Sequence, residues 1–261
     1  MKKLTALFIA LVMMMTMTIP ALAAVETDSE YVKQKGTLVV GITDFAPMDY
    51  KDEDGNWIGF DADMAAAFAA YLGVQVEFVE IEWDNKVLEL NSKSIDCVWN
   101  GMTLTPEVTS SMSCSNAYCN NAQVVIVPVD QADKYQTAED CADLVFAAEA
   151  GSAGEAEVTA LGYECTPVQS QAAALMEVAA GTCDAAVIDS LMAAAMVGEG
   201  TSYENLTYTV QLNSEEYGVG FRTGSDLADA LNEFFKAAYE DGSLLKTAET
   251  YGVQAALIEQ K

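Results

Sequence analysis

Residues 144–190 read LVFAAEAGSAGEAEVTALGYECTPVQSQAAALMEVAAGTCDAAVIDS. Leu144–Ala148 is a short apolar run of strand composition, and Gly151-Ser152 then opens a helical stretch. Tyr163–Val168 reads as a second strand, Gln171–Ala180 as a second helix, Ala185–Ile188 as a third strand, and another helix starts at Ser190. Apolar residues that switch between a period of two and a period near 3.6, with small and polar residues at each switch, define a β-α-β-α-β unit. Such alternation predicts α/β layers built on mainly parallel sheets.

The same alternation extends outward. Upstream, Thr37–Ile42 (TLVVGI) is a buried strand, and Tyr50–Phe60 is a hairpin turning on Asp54-Gly55-Asn56. Asp61 is expected to cap a helix whose Met64, Ala67, Phe68, Tyr71 and Leu72 share one face and which Gly73 stops. Thr105-Pro106-Glu107 is a helix start, with a capping hydroxyl and proline at the first helical position. Downstream, Tyr217–Arg222 is a strand, and helices are expected over 226–240 and 243–251. The expected organisation is a signal peptide over 1–23 and a polar leader over 24–35. One lobe is made of 36–126 together with 214–261, and a second of 127–213. Two crossing strands join the lobes, and a ligand is expected in the crevice at the carboxyl ends of the strands.

Composition narrows the function. Lys2 and Lys3 precede a long apolar run that ends in Ala21-Leu22-Ala23, the pattern of a cleaved secretory signal. The first cysteine is Cys97, so no lipid-attachment cysteine follows the cleavage site, and a soluble exported protein is expected. Forty acidic residues against 12 basic ones give a net charge of −28, which argues against nucleic acid or an anionic membrane as partner. There is no histidine, which excludes Ser-His-Asp, Cys-His and histidine-metal chemistry. No metal and no cofactor are expected. Of the six cysteines, Cys97 and Cys183 border apolar runs and read as small buried hydrophobes, whereas Cys114 and Cys119 are the first pair to test for a disulfide.

The stretches GTLVVGI (36–42), GFDADMAAAFAAYLG (59–73), IDCVWNGMTLTPE (95–107), CDAAVIDS (183–190) and EEYGVGFRTGSDL (215–227), in this order, resemble the family 3 solute-binding proteins of ABC importers, which bind polar amino acids. The resemblance runs from Gly36 to about Val253. It implies a type II periplasmic-binding-protein fold, two α/β lobes that close on one ligand and deliver it to a membrane permease, with the protein acting as a monomer. By position, Phe45 and Trp83 resemble the two aromatics that sandwich the ligand side chain. Gly101 and Thr103 resemble the carbonyl and hydroxyl that meet the ligand's ammonium and carboxylate. Ser152 resembles the second-lobe hydroxyl, Asp189 the carboxylate that holds the α-ammonium, and Asp44 an accessory acid.

Val108 falls where the family places the arginine that grips the ligand carboxylate. Losing one partner of such a fork typically costs about 2–5 kcal/mol. Lys86 and Arg222 are the two candidate replacements, and Glu149 adds negative charge near the cleft. The expected ligand is therefore a basic amino acid or an amine-rich compound. Two other classes compete: a dehydratase-like enzyme of the same fold, acting through a carboxylate such as Glu107 or Glu149, and a sensor module that does not transport.

Overall fold

The computed structural model describes residues 27–261, so the expected signal peptide lies outside the described residues. The chain forms two larger sheets and one short hairpin. In the first sheet the strands run in the order Gln75–Glu80, Thr37–Ile42, Cys97–Thr103, Glu215–Phe221 and Ser113–Cys114, with Cys119–Asn121 also pairing with Glu215–Phe221. The second sheet has the order Glu164–Val168, Val145–Glu149, Ala185–Asp189, Gln123–Pro128 and Leu206–Gln211.

Both sheets are mixed rather than mainly parallel. Each has three parallel strands, made by β-α-β connections, and antiparallel strands beside them. Gln123–Pro128 pairs antiparallel with Ala185–Asp189, and Glu215–Phe221 pairs antiparallel with Cys97–Thr103. These two strands arrive directly from the opposite sheet, with no crossover helix to reverse their direction, so they enter pointing the other way. Gln123–Pro128 lies wholly in the second sheet, so the chain changes sheet before Gln123 and not between residues 126 and 127.

Helices Phe60–Leu72 and Leu227–Glu240 pack on the first sheet through Phe68, Phe234 and Phe235. Trp99 meets Phe235 edge-on at 5.5 Å and Phe68 at 6.3 Å, and Tyr118 stands 5.5 Å from Phe235. Each such ring removed from water contributes about 1.5–3 kcal/mol. The second sheet is covered on one face by Gln171–Ala180, through Ala174, Leu175 and Val178, and on the other by Ala153–Leu161, through Val158.

Three expectations change. The leader is helical over Asp28–Lys35, because Thr27 and Glu30 form a capping box. The helix is pinned to the body by Asp28 on Arg222 and by Ser29 donating to Asp226. Asp61 does not cap its helix: Gly59 is the cap residue, and the Asp61 carboxylate is fully buried, accepting from the Gly101 N–H and the Tyr118 hydroxyl, each at 2.7 Å. All six cysteines are free. Cys114 and Cys119 lie opposite Gly220 and Tyr217 along one strand. Three residues of strand span about 10 Å, beyond the 4.4–6.8 Å Cα separation that a disulfide typically spans.

Candidate functional site

The carboxyl ends of Cys97–Thr103, Val145–Glu149 and Ala185–Asp189 converge between the two sheets on a cavity of about 690 Å³. Strand ends leave their last side chains free of the ladder, which is why such crevices collect binding groups. Of the residues singled out from sequence, Trp83, Gly101, Thr103, Val108, Ser152 and Asp189 all line this cavity, as do Lys86 and Glu149. Asp44 is exposed and Phe45 is 1% exposed, and neither lines it.

Phe45 therefore does not form a second aromatic wall. Its ring lies behind Gly101, where a Cβ would come within 2.4 Å of it, and it meets Tyr217 edge-on at 6.3 Å. Sequence spacing places it next to the strand end but says nothing about which side of Gly101 its ring takes. Trp83 lines the cavity and packs in a cluster with Met102, Val108 and Met112. Val108 thus belongs to an apolar wall, so the place expected to hold a guanidinium is closed over by hydrocarbon.

Asp189 is 4% exposed and its side chain makes no cap to the helix that follows it. Instead it accepts from four neutral donors: the Tyr217 hydroxyl at 2.8 Å, the Gln123 amide at 2.9 Å, and the amides of Asn121 and Gln171. Asn121 and Gln123 also donate to Glu215, at 2.7 and 2.8 Å, and Thr103 donates to the same Glu215 oxygen at 2.8 Å. Burial, and then the neighbouring Glu215, hold the Asp189 carboxyl well above its ordinary range. A cation arriving at this pair relieves both effects. Sequence reasoning missed Asn121, Gln123, Gln171 and Glu215. Each sits at an element end beside an apolar run, a position that reads equally well as an ordinary boundary.

The two replacement cations separate. Arg222 is 8% exposed and bonds to Asp28, Asp96 and the Ile95 carbonyl. It follows the end of Glu215–Phe221 opposite to Glu215, roughly 20 Å of strand away from the cleft, and cannot serve the site. Lys86 does line the cavity, and it joins the two halves of the cleft by donating to the Trp83 carbonyl at 3.2 Å and the Gly151 carbonyl at 3.0 Å. Burial lowers its pKa, while Glu149, Asp84 and Glu107 oppose that. A second bond across the cleft runs from the Gln169 amide to Glu82, at 2.9 Å. The lobes are thus closed on one another.

Among the described residues five carboxylates line the cavity (Asp84, Glu107, Glu149, Glu155 and Asp189) against the single cation Lys86. Thr105 caps the helix Pro106–Ser111, accepting from the Val108 N–H at 3.2 Å, and Ser152 caps Ala153–Leu161, accepting from the Glu155 N–H at 3.1 Å. Among the described residues no group of His, Cys, Asp and Glu side chains is placed to hold a metal ion.

A model of the bacterial extracellular solute-binding proteins, family 3, matches residues 38–254. The chain belongs to this family. It is 26% identical over 238 residues to the arginine-binding extracellular protein ArtP of Bacillus subtilis, covering 88% of this chain and 91% of that protein. Among solved structures, a substrate-binding protein of an ABC uptake transporter from Streptococcus pneumoniae with bound histidine is 28% identical. It has a TM-score of 0.79 and covers 88% of this chain and 98% of its own. The ancestral amino acid-binding protein AncCDT-1, described as a precursor of cyclohexadienyl dehydratase, is 32% identical with a TM-score of 0.78, over 85% and 98% of the two chains. Family membership and the two-lobed fold expected from sequence therefore hold, and these relatives are binding proteins.

Proposed function

We propose that this family 3 protein captures a small amino compound of net positive charge by closing its two lobes, and hands it to the permease of an ABC importer. One observation carries the charge preference: five carboxylates and a single lysine line a closed cavity whose expected arginine is Val108, buried in an apolar cluster. A cavity of about 690 Å³ lies within the roughly 300–1,000 Å³ typical of small-molecule sites. Asp189 receives the ammonium, Trp83 provides the flat apolar and cation-stacking wall, and the buried Lys86 is the one group placed to meet a carboxylate.

The remaining assignments follow from this reading. Residues 1–23 direct export and are removed, leaving a soluble monomer without a lipid anchor. The first lobe holds the strands through Asn121 and the C-terminal region from Glu215, and the second lobe lies between them. Phe45 supports the site from outside the cavity, by backing Gly101. A dehydratase-like reaction on a dianionic acid fits poorly, because among the described residues lining the cavity Lys86 is the single cation available to two substrate carboxylates.

The test is a thermal-shift panel of the standard amino acids, ornithine, polyamines and a prephenate-like acid, run on the native chain and on Val108→Arg. Ligands that bind only the folded state raise the melting temperature with occupancy. Basic amino acids or amines are expected to shift the native chain, and neutral amino acids to gain affinity in Val108→Arg. Tight binding of glutamate or aspartate with no response to basic compounds would overturn the proposal, and turnover of the prephenate-like acid would replace it with the enzyme reading.

A further inference from the structure

Glu149 ends the strand Val145–Glu149, the parallel neighbour of Ala185–Asp189. The pairing of Ala147 with Ala186 sets Glu149 and Asp189 one residue out of step at the carboxyl edge of the sheet, on backbones about 4.8 Å apart. Both side chains are buried and both line the cavity, but they are held in opposite ways. Asp189 has four donors. Glu149 is 2% exposed; the Thr43 hydroxyl stands near its carboxyl but donates to Asn100 at 2.8 Å, and among the described residues the Glu149 Oε1 is buried with no hydrogen-bond partner. The nearby lysine does not fill the gap: Lys86 is engaged by the carbonyls of Trp83 and Gly151, and no ion pair joins it to Glu149 among the described residues. A buried carboxylate oxygen with no partner is costly, and a site that retains one fits a ligand that supplies the missing donor.

We propose that Glu149 is a second cation anchor, so that the ligand carries two cationic nitrogens, one bound at Asp189 and the other at Glu149. This rests on the reading of the protein as a binder of amino compounds and narrows the class to dications. Two kinds of compound share that chemistry: an α-amino acid with a basic side chain, and a linear diamine. They differ only in the carboxylate that Lys86 would meet. Glu149 is accordingly a specificity-determining residue, since it contributes to the difference between a charged and a neutral side chain of the same length. The second cation lies where the two lobes meet, beside Trp83 and Gly151, so binding there also favours the closed arrangement.

Isothermal titration of the mature native chain and of Glu149→Gln tests this, using matched pairs: lysine against norleucine, arginine against citrulline, and cadaverine against pentylamine. The native chain is expected to bind the dication of at least one pair about tenfold or more tightly than its singly charged partner, a ratio that should collapse to near unity in Glu149→Gln while the partner's own affinity is kept. Glu149→Met, of similar volume, replaces Glu149→Gln should that variant melt early. If both variants keep the dication ratio, or the native chain binds the two members of every pair equally, the Glu149 assignment is wrong while the amino-compound reading stands. If the native chain binds no member of any pair, both readings fail. Lysine against cadaverine then distinguishes the amino acid from the diamine.

Discussion

The Tyr217 hydroxyl donates to the Asp189 carboxylate at 2.8 Å, joining the strand that returns to the first sheet with a strand end of the second. The same carboxylate takes bonds from Asn121 and Gln123, on the chain that crosses in the other direction. The Asp189 carboxylate is thus fastened to both crossings between the lobes. It is pre-set in position before a ligand arrives, which reduces the ordering cost of binding.

Removing the charge but not the shape at this point is the most direct test of the site. Asp189→Asn is expected to weaken binding of an amino ligand by about 2–5 kcal/mol, the usual cost of losing one partner of a buried charge pair. Titration calorimetry measures this directly, and a near-native melting curve without ligand separates loss of binding from loss of fold. Affinity that survived would remove Asp189 from the ligand site.

Closure can be blocked at a backbone position where the two lobes meet. Gly151 has φ +71°, and a Cβ there would stand 2.8 Å from the Cα of Asp84 on the facing lobe. Gly151→Ala is expected to lose about 1–2 decades of affinity, because the closed arrangement is the binding-competent one and affinity falls with its population. Small-angle scattering with saturating ligand should show the variant remaining more open than the native protein. Equal compaction would show that the glycine is not needed for closure.

Stability of the ligand-free protein should fall between pH 5 and pH 8. Burial pushes Asp61 up to about 7 and Glu149 up to about 8, and burial, followed by repulsion from Asp61, raises Asp49 well above its normal range. Groups whose folded pKa is raised bind more protons folded than unfolded. Their stabilisation is complete below the unfolded value and is lost as pH climbs through the folded one. The depressed carboxylates Asp52, Asp140, Asp226 and Asp241 act only lower on the scale, and the raised carboxyls of Asp189 and Asp44 act in the same direction as Asp61 and Glu149. Around Glu149 the charged groups are Lys86 and Glu82, which oppose one another in effect. Urea titrations should show a decline of up to about 1.4 kcal/mol per pH unit for each such group, and Glu149→Gln should flatten the upper half of the curve. A profile rising from pH 5 to pH 8 would contradict the assignment.

Far from the cleft, Asp96 is fully buried, accepts from Lys35 at 2.5 Å and from the Val39 N–H at 2.8 Å, and pairs with Arg222 at 3.3 Å. Asp96→Asn leaves Arg222 short of charge in the interior and is expected to cost about 3–5 kcal/mol. Equilibrium unfolding measures the loss. Ligand affinity of the folded fraction should be unchanged, because none of these groups lines the cavity.

Much of this was legible along the chain. The alternation of strands and helices, the stop of Phe60–Leu72 at Gly73, and the cap of Thr105 on Pro106–Ser111 are local matters of spacing and turn chemistry, and they stand as expected. The ordered motifs pointed to the family, and six of the eight site residues chosen by position line one cavity. The helix Asp28–Lys35 was legible too, in the capping pair Thr27 and Glu30, but its polar composition hid it.

What the sequence alone determined was therefore everything carried by short-range pattern: the element order, the family, the acidic surplus and the missing arginine. Tertiary structure decided the rest. It set the antiparallel entry of the two crossing strands, the placement of Phe45 behind Gly101, the removal of Arg222 to the far end of its strand, and the sharing of the Asn121 and Gln123 amides between Asp189 and Glu215. Each of these depends on which side of a sheet or end of a strand a side chain occupies once distant segments meet. Local spacing does not specify that, and packing and buried charge do.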